Sequence, residues 1–277
     1  MPSSSTLEVT SVLYMPDRPK INVLPPPFAE TISQLRDGRK SGFFMKRLYP
    51  IFFVAAAIIA ATIIFNQSIG ESDASDQSSK SKIDLPKPRY DSNISIERAL
   101  FERRSTREYK DQPLTLTELS QLLWAAQGIT DPTGLRTAPS AGALYPIKVY
   151  IIIGNVINIS DGIYRYEPKD HLLLRIAEGD RRDELYEAAM KQESIRAGET
   201  VIVLSANYEP TTSKYGERGV MFVHMEAGHV AQNICLQAVS LNLGVVTVGA
   251  FSDERVKEIV EMPEEENPLY LIPVGRI

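Results

Sequence analysis

Arg103-Arg104-Ser105-Thr106-Arg107 places three guanidinium groups and a serine hydroxyl within five residues, and the chain ends on a further cation in Val274-Gly275-Arg276-Ile277. A guanidinium is a planar fork of donors that meets a phosphate by two-point contact, so arginines drawn from both ends of a domain can hold one such group between them. The chemistry suggested is a grip on an anion. The simpler alternative is a solvated basic edge at a helix end.

Two later segments have the residue types that let a backbone approach a flat ligand. Ala138-Pro139-Ser140-Ala141-Gly142-Ala143-Leu144-Tyr145-Pro146 is built largely of small residues, whose N–H groups are open to close contact. Gly244-Val245-Val246-Thr247-Val248-Gly249-Ala250-Phe251 reads as a β-branched strand running into a glycine whose amide can face a ring heteroatom. Each alone could be an ordinary loop or a buried strand.

In this order, with the arginine cluster before them and Gly275-Arg276 after, these segments resemble the nitroreductase family of flavin enzymes from Ser92 to the C-terminus. Gly162-Ile163-Tyr164-Arg165-Tyr166-Glu167-Pro168-Lys169-Asp170-His171-Leu172 is similar to the Gly-x-Tyr-x-Tyr-x-Pro…His-x-Leu segment of its SagB-type dehydrogenase branch. Lys214-Tyr215-Gly216-Glu217-Arg218-Gly219 is similar to that branch's Lys-Tyr-Gly stretch. Members of the branch include oxidases of thiazoline and oxazoline rings in peptide natural products. The resemblance implies an α+β fold with a mixed central sheet flanked by helices, and a domain-exchanged homodimer with two FMN sites at the subunit interface.

Roles carry over by the same resemblance. Arg103, Arg104, Ser105 and Arg107 match the segment that contacts the flavin phosphate, ribityl chain and pyrimidine edge, and Arg276 matches the C-terminal phosphate contact. A cation near the pyrimidine edge favours the anionic reduced ring. Pro139, Ser140, Ala141 and Gly142 match the loop that lies against the ring from the other subunit. Gly249 and Ala250 match the turn whose amides face the reactive nitrogen.

Lys214 and Tyr215 match the pair proposed in the azoline-oxidising branch as acid or base. Taking a proton from a ring carbon while hydride leaves to the flavin needs such a group. The alternative is an exposed Lys214 and a Tyr215 that packs at the entrance of the next helix. The expected function is FMN-dependent oxidation of a small-molecule or peptide substrate. The alternatives are a nitro or quinone reductase visited transiently by NAD(P)H, and a non-catalytic flavin-binding module.

Other classes are excluded or unsupported. A formal net charge of −5 offers no electrostatic case for nucleic acid. No Rossmann or P-loop glycine motif is present. His224 and His229 stand five apart, so they do not share a helix face as an i, i+4 zinc pair does; helix packing is expected there, with Glu226, and no metal site. His171, after a turn-like Pro-Lys-Asp, is expected at the surface. The single cysteine, Cys235, sits in an apolar run and reads as a small core residue.

The elements that must position these groups alternate in period. Ser95 is a candidate N-cap for a helix over Ile94 to Arg103 that delivers the arginines at its end. Thr115-Leu116-Thr117-Glu118 fits a capping box, followed by an apolar face of Leu116, Leu119, Leu122, Leu123 and Ala126 and a stop at Gly128. Ile147 to Ile153, Thr200 to Ala206 and Pro268 to Arg276 read as strands. Gly219 to Leu243 reads as a central helix, apolar around much of its circumference, and Ser252 opens a short helix with acidic residues at its positive end.

The first part of the chain has a different character. Residues 1–47 are expected to be a disordered tail, and Met45-Lys46-Arg47 is an alternative chain start. Residues 48–65 carry no charge and are long enough to span a bilayer once, giving a membrane attachment. Basic residues before this run and acidic ones after it put the N-terminus in the cytoplasm and the catalytic domain across the membrane. Residues 66–90 read as a flexible linker of Ser, Asp, Gln and Lys stiffened by Pro86 and Pro88, leaving 91–277 as the flavin domain.

Overall fold

The computed structural model describes residues 81–277. The tail, the apolar run at 48–65 and most of the linker lie outside the described residues. Among the described residues no helix is long and apolar enough to cross a membrane.

Seven strands form one sheet in the order β1-β4-β3-β2-β5-β7-β6. They are β1 (Lys82–Asp84), β2 (Ile147–Ile153), β3 (Gly162–Glu167), β4 (Leu172–Glu178), β5 (Thr200–Asn207), β6 (Leu243–Val245) and β7 (Glu266–Arg276). Every neighbouring pair is antiparallel, which corrects the expectation of a mixed sheet. The reason lies in connectivity. β2, β3 and β4 form a meander, and β7 returns beside β5 only after a long helical excursion.

Strands buried on both faces sort their side chains by the period of two. On β2, Val149, Ile151 and Ile153 enter one core while Tyr150 and Ile152 enter the other; on β5, Ile202, Leu204 and Ala206 oppose Val201 and Val203 in the same way. The first core is closed by two helices, α2 (Leu116–Gln127) and α6 (Arg218–Ser240). The second lies under α3 (Arg182–Ala188), α4 (Glu193–Ala197) and α7 (Asp253–Val260). Each fully buried Leu, Ile or Val contributes about 1.5–3 kcal/mol, so these two layers hold the frame on which the site sits.

The local start signals are realised. α1 (Ile96–Glu102) is capped by Ser95, whose side chain accepts from Arg98 N, and Thr115 with Glu118 forms both halves of a capping box at α2. Cys235 is buried in the first core.

The folded body begins earlier than the linker boundary at residue 90. β1 pairs with β4, Leu85 is buried, and the Gln121 carboxamide clasps the backbone of Arg89, accepting from its N–H at 2.9 Å and donating to its carbonyl at 3.0 Å. His171 is not surface structure either. Its Nδ1 lies 2.8 Å from Tyr166 Oη, and its Nε2 lies 2.9 Å from Ser120 Oγ and 3.0 Å from the Pro86 carbonyl. The turn before it folds inward because Tyr166 and Ser120 offer it partners.

Candidate functional site

Arg103 ends α1, and the following segment is laid along the sheet edge by its backbone. Thr106 N donates to Val245 O at 2.9 Å, and Lys110 N donates to Arg276 O at 3.0 Å. The backbones of the arginine segment, β6 and the C-terminal strand therefore run together.

Their side chains differ in use. Arg104 Nη1 donates to the Phe101 and Arg103 carbonyls at 2.9 and 2.8 Å, where it satisfies the exposed carbonyl end of α1. Arg103 lies near Cys235: burial pushes that thiol up, and the Arg103 charge opposes the rise. Among the described residues, Arg103, Arg104 and Arg107 have no carboxylate partner. Arg276 does: its guanidinium meets Glu118 through two contacts of 2.7 and 2.8 Å. A concentration of guanidinium charge without counter-charge fits a multiply charged oxyanion such as a phosphate.

The turn after β6 adds donors. Val248 exchanges backbone hydrogen bonds with Leu271, and Ala250 O accepts from Gln192 Nε2 at 3.0 Å. Gly249 and Ala250 are exposed, and among the described residues their amides donate to no backbone carbonyl. These two donors on a pinned turn fit an electron-rich ring edge.

A second group forms around the small-residue loop. Gly142 has φ +62°, and Ala143 and Tyr145 also lie in the left-handed region at φ 54° and 49°. Each non-glycine residue there costs about 1–3 kcal/mol, so the surroundings must hold the turn. Tyr145 N donates to Ser140 Oγ at 2.9 Å, Arg136 N donates to Tyr145 Oη at 3.1 Å, and the Arg136 guanidinium stacks 4.4 Å from the Tyr145 ring.

Lys214 and Tyr215 end the short helix α5 (Glu209–Tyr215). A β-carbon added to Gly142 would stand 2.6 Å from Lys214 Nζ and 2.7 Å from Tyr215 Oη, so both polar heads converge on this glycine. The angle of α5 is set by Gly219 at the start of α6, where a β-carbon would strike the Thr212 Cα at 2.8 Å. Tyr215 also meets Phe222 of α6 edge-on at 5.2 Å.

The sequence-predicted residues thus fall into two sets within one chain. Arg103, Arg104, Ser105, Arg107, Arg276, Gly249 and Ala250 share the β6–β7 edge. Pro139, Ser140, Ala141 and Gly142 form the other, and through Gly142 this loop meets Lys214 and Tyr215. No hydrogen bond among the described residues joins the two sets. No group of metal-ligating side chains occurs among the described residues.

Sequence reasoning missed a buried polar cluster beneath the loop. Glu226 of α6 is 2% exposed and neighbours Ser140, Gln127 and Arg136. The available signal was a lone carboxylate on an apolar helix, next to histidines that drew attention to metals instead.

Residues 100–276 match the family model described as the nitroreductase family. A Methanocaldococcus jannaschii protein named as a nitroreductase is 49% identical over 183 residues, covering 66% of this chain and 91% of its own. A Bacillus subtilis protein named FMN reductase (NADPH) is 26% identical, with 66% of each chain covered. Among solved structures, one named as a nitroreductase from Ralstonia eutropha superposes with a TM-score of 0.62 at 32% identity, covering 72% of this chain and 90% of that one. The Escherichia coli microcin synthetase McbBCD, solved in complex with truncated pro-MccB17, gives a TM-score of 0.55 at 25% identity, covering 70% of this chain and 77% of that one.

Proposed function

The chain belongs to the nitroreductase family, and on that premise we propose that it is an FMN-dependent dehydrogenase of the SagB type that oxidises azoline rings in a peptide. Bound FMN would supply the two-electron hydride acceptor. Arg103, Ser105 and Arg107, with Arg276 behind them, would hold its phosphate and the sugar-like chain, and the amides of Gly249 and Ala250 would face the reactive edge of the ring. Pro139 to Gly142, contributed by a second copy of the chain, would lie against the ring face. That division accounts for the two sets of residues that one chain keeps apart.

The observation that carries the reading is the convergence of Lys214 Nζ and Tyr215 Oη on Gly142. It puts an acid–base pair beside the loop assigned to the ring. A lysine amine with a neighbouring phenol can take the ring proton as the hydride departs, and the pair can return that proton to solvent because Lys214 is exposed. The likeness to a synthetase that binds a peptide precursor supports a peptide substrate.

The likeness to an FMN reductase favours a second reading, reduction of nitro or quinone compounds with hydride from NAD(P)H. Stopped-flow absorbance on the purified chain separates the two. The azoline reading expects the flavin to bleach with a heterocyclised peptide and slowly with NADH or NADPH. Fast bleaching with a nicotinamide donor and none with the peptide would establish the reductase instead.

Membrane tethering through residues 48–65, with the N-terminus cytoplasmic and the catalytic domain extracytoplasmic, belongs to the same proposal. A reporter fused after Ile277 tests that orientation: it should be active only outside the cytoplasm.

A further inference from the structure

Three elements bring polar side chains together beneath the strained turn at Ser140 to Tyr145. Gln127 comes from the end of α2, Arg136 from the loop after it, and Glu226 from α6, with Ser140 above them. Gln127 and Glu226 are 0% and 2% exposed.

Their donors and acceptors do not balance within the hydrogen bonds already made. Arg136 Nη1 donates to Gln127 Oε1 at 2.9 Å, and Ser140 Oγ accepts from Tyr145 N. Left over are Gln127 Nε2, Arg136 Nε and Glu226 Oε1, buried and without partners among the described residues. The Ser140 hydroxyl also retains its proton to give. Buried orphans are costly, and the acceptor that faces both Ser140 and Gln127 with an oxygen still unpaired is the Glu226 carboxyl. Burial pushes that carboxyl above the ordinary range, and Ser140, Gln127 and the Arg136 charge act against the rise.

We propose that Glu226 is a positioning residue: by accepting from Ser140 and Gln127 it fixes the turn that carries Gly142, and through Gly142 it sets where the Lys214 amine and the Tyr215 hydroxyl stand. This rests on the reading of Lys214 and Tyr215 as the acid–base pair. A carboxyl is needed because it presents two acceptor oxygens, whereas a carboxamide presents one. Gln127 cannot turn its own amide to compensate, since its oxygen is already used by Arg136.

The test uses the purified full chain and an amine-labelling reagent, with the extent of modification at Lys214 read by mass spectrometry. Glu226→Gln should leave the circular dichroism and flavin content in place but change the Lys214 labelling rate by about threefold or more, the low end of coupling between neighbouring groups. The exchange variant carrying Glu226→Gln and Gln127→Glu restores an acceptor for both Arg136 and the new carboxamide, and should return the rate to the wild-type value, with kcat recovering and KM little moved. Unchanged labelling in Glu226→Gln, or a change that the exchange does not reverse, overturns the proposal. If Glu226→Gln does not fold, Ser140→Ala must alter labelling in its place, and its failure to do so overturns the proposal equally. Full turnover in Lys214→Ala would sink the functional reading instead, while the labelling results would still decide the coupling.

Discussion

Arg276, the penultimate residue, holds the carboxylate of Glu118 end-on, with Nη1 to Oε1 at 2.7 Å and Nη2 to Oε2 at 2.8 Å. The same carboxylate accepts from Thr115 N at 2.8 Å and so closes the capping box of α2. One side chain therefore ties the last strand to the start of a core helix. Nη2 also donates to the Pro113 carbonyl at 3.4 Å, which leaves the Nε hydrogen and one Nη1 hydrogen for any further anion.

Glu118→Ala removes the cap and the ion pair together. Charge-assisted hydrogen bonds and caps are each worth about 1–3 kcal/mol, so a loss of about 2–4 kcal/mol in chemical denaturation is expected. Burial alone would raise the Glu118 carboxyl, but Arg276 and Thr115 outweigh it and hold it below its ordinary 4.5. Its stabilisation is thus complete above that value and disappears as pH falls through the lower folded-state value. Melting temperatures followed from pH 6 to pH 3 should show that acid loss, reduced in Glu118→Ala.

His171 acts in the same direction but at higher pH, and by a different cause. Burial lowers its pKa below 6.5, against a raising contribution from the Pro86 carbonyl. The unfolded chain takes up a proton near 6.5 that the folded imidazole resists, so stability falls as pH drops below that point. His171→Gln should flatten this part of the melting profile between about pH 7 and 5. A profile identical to wild type would mean that the contacts to Tyr166, Ser120 and Pro86 do not favour the neutral ring.

Gly142→Ala places a methyl where Lys214 Nζ and Tyr215 Oη now converge, at a φ of +62° that a side chain resists. Steady-state kinetics should show kcat reduced by about 10²-fold or more, comparable with loss of a positioned acid–base group, and flavin content unchanged. Lys214→Ala should give a similar loss. A fall in flavin content with normal turnover per flavin would mean that the loop serves the cofactor alone and does not position the acid–base pair.

Much of this was legible locally. The Ser95 cap, the Thr115–Glu118 box and the buried β-branched strands are written in neighbouring residues, and each appears where its short-range chemistry puts it. The run toward Gly249 was only partly a strand: pairing stops at Val245 because beyond it only Val248 bridges β7. β1 was hidden, since Lys82-Ile83-Asp84 has no strand-like composition and gains its form from the backbone of β4. Sheet direction, the His171 contacts and the Glu226 cluster join residues far apart in the chain, which no periodicity records. The paired use of Arg276 by Glu118 was invisible for the same reason, 158 residues separating them.

The central claim is that Arg103, Ser105 and Arg107 hold a flavin by its phosphate, and flavin fluorescence titration of the purified, flavin-stripped chain tests it most directly. FMN should bind far more tightly than riboflavin, which lacks the phosphate, and Arg103→Ala with Arg107→Ala should weaken FMN by about 10²-fold or more while leaving riboflavin unchanged. Equal affinity for FMN and riboflavin, or FMN binding indifferent to both substitutions, would contradict the account.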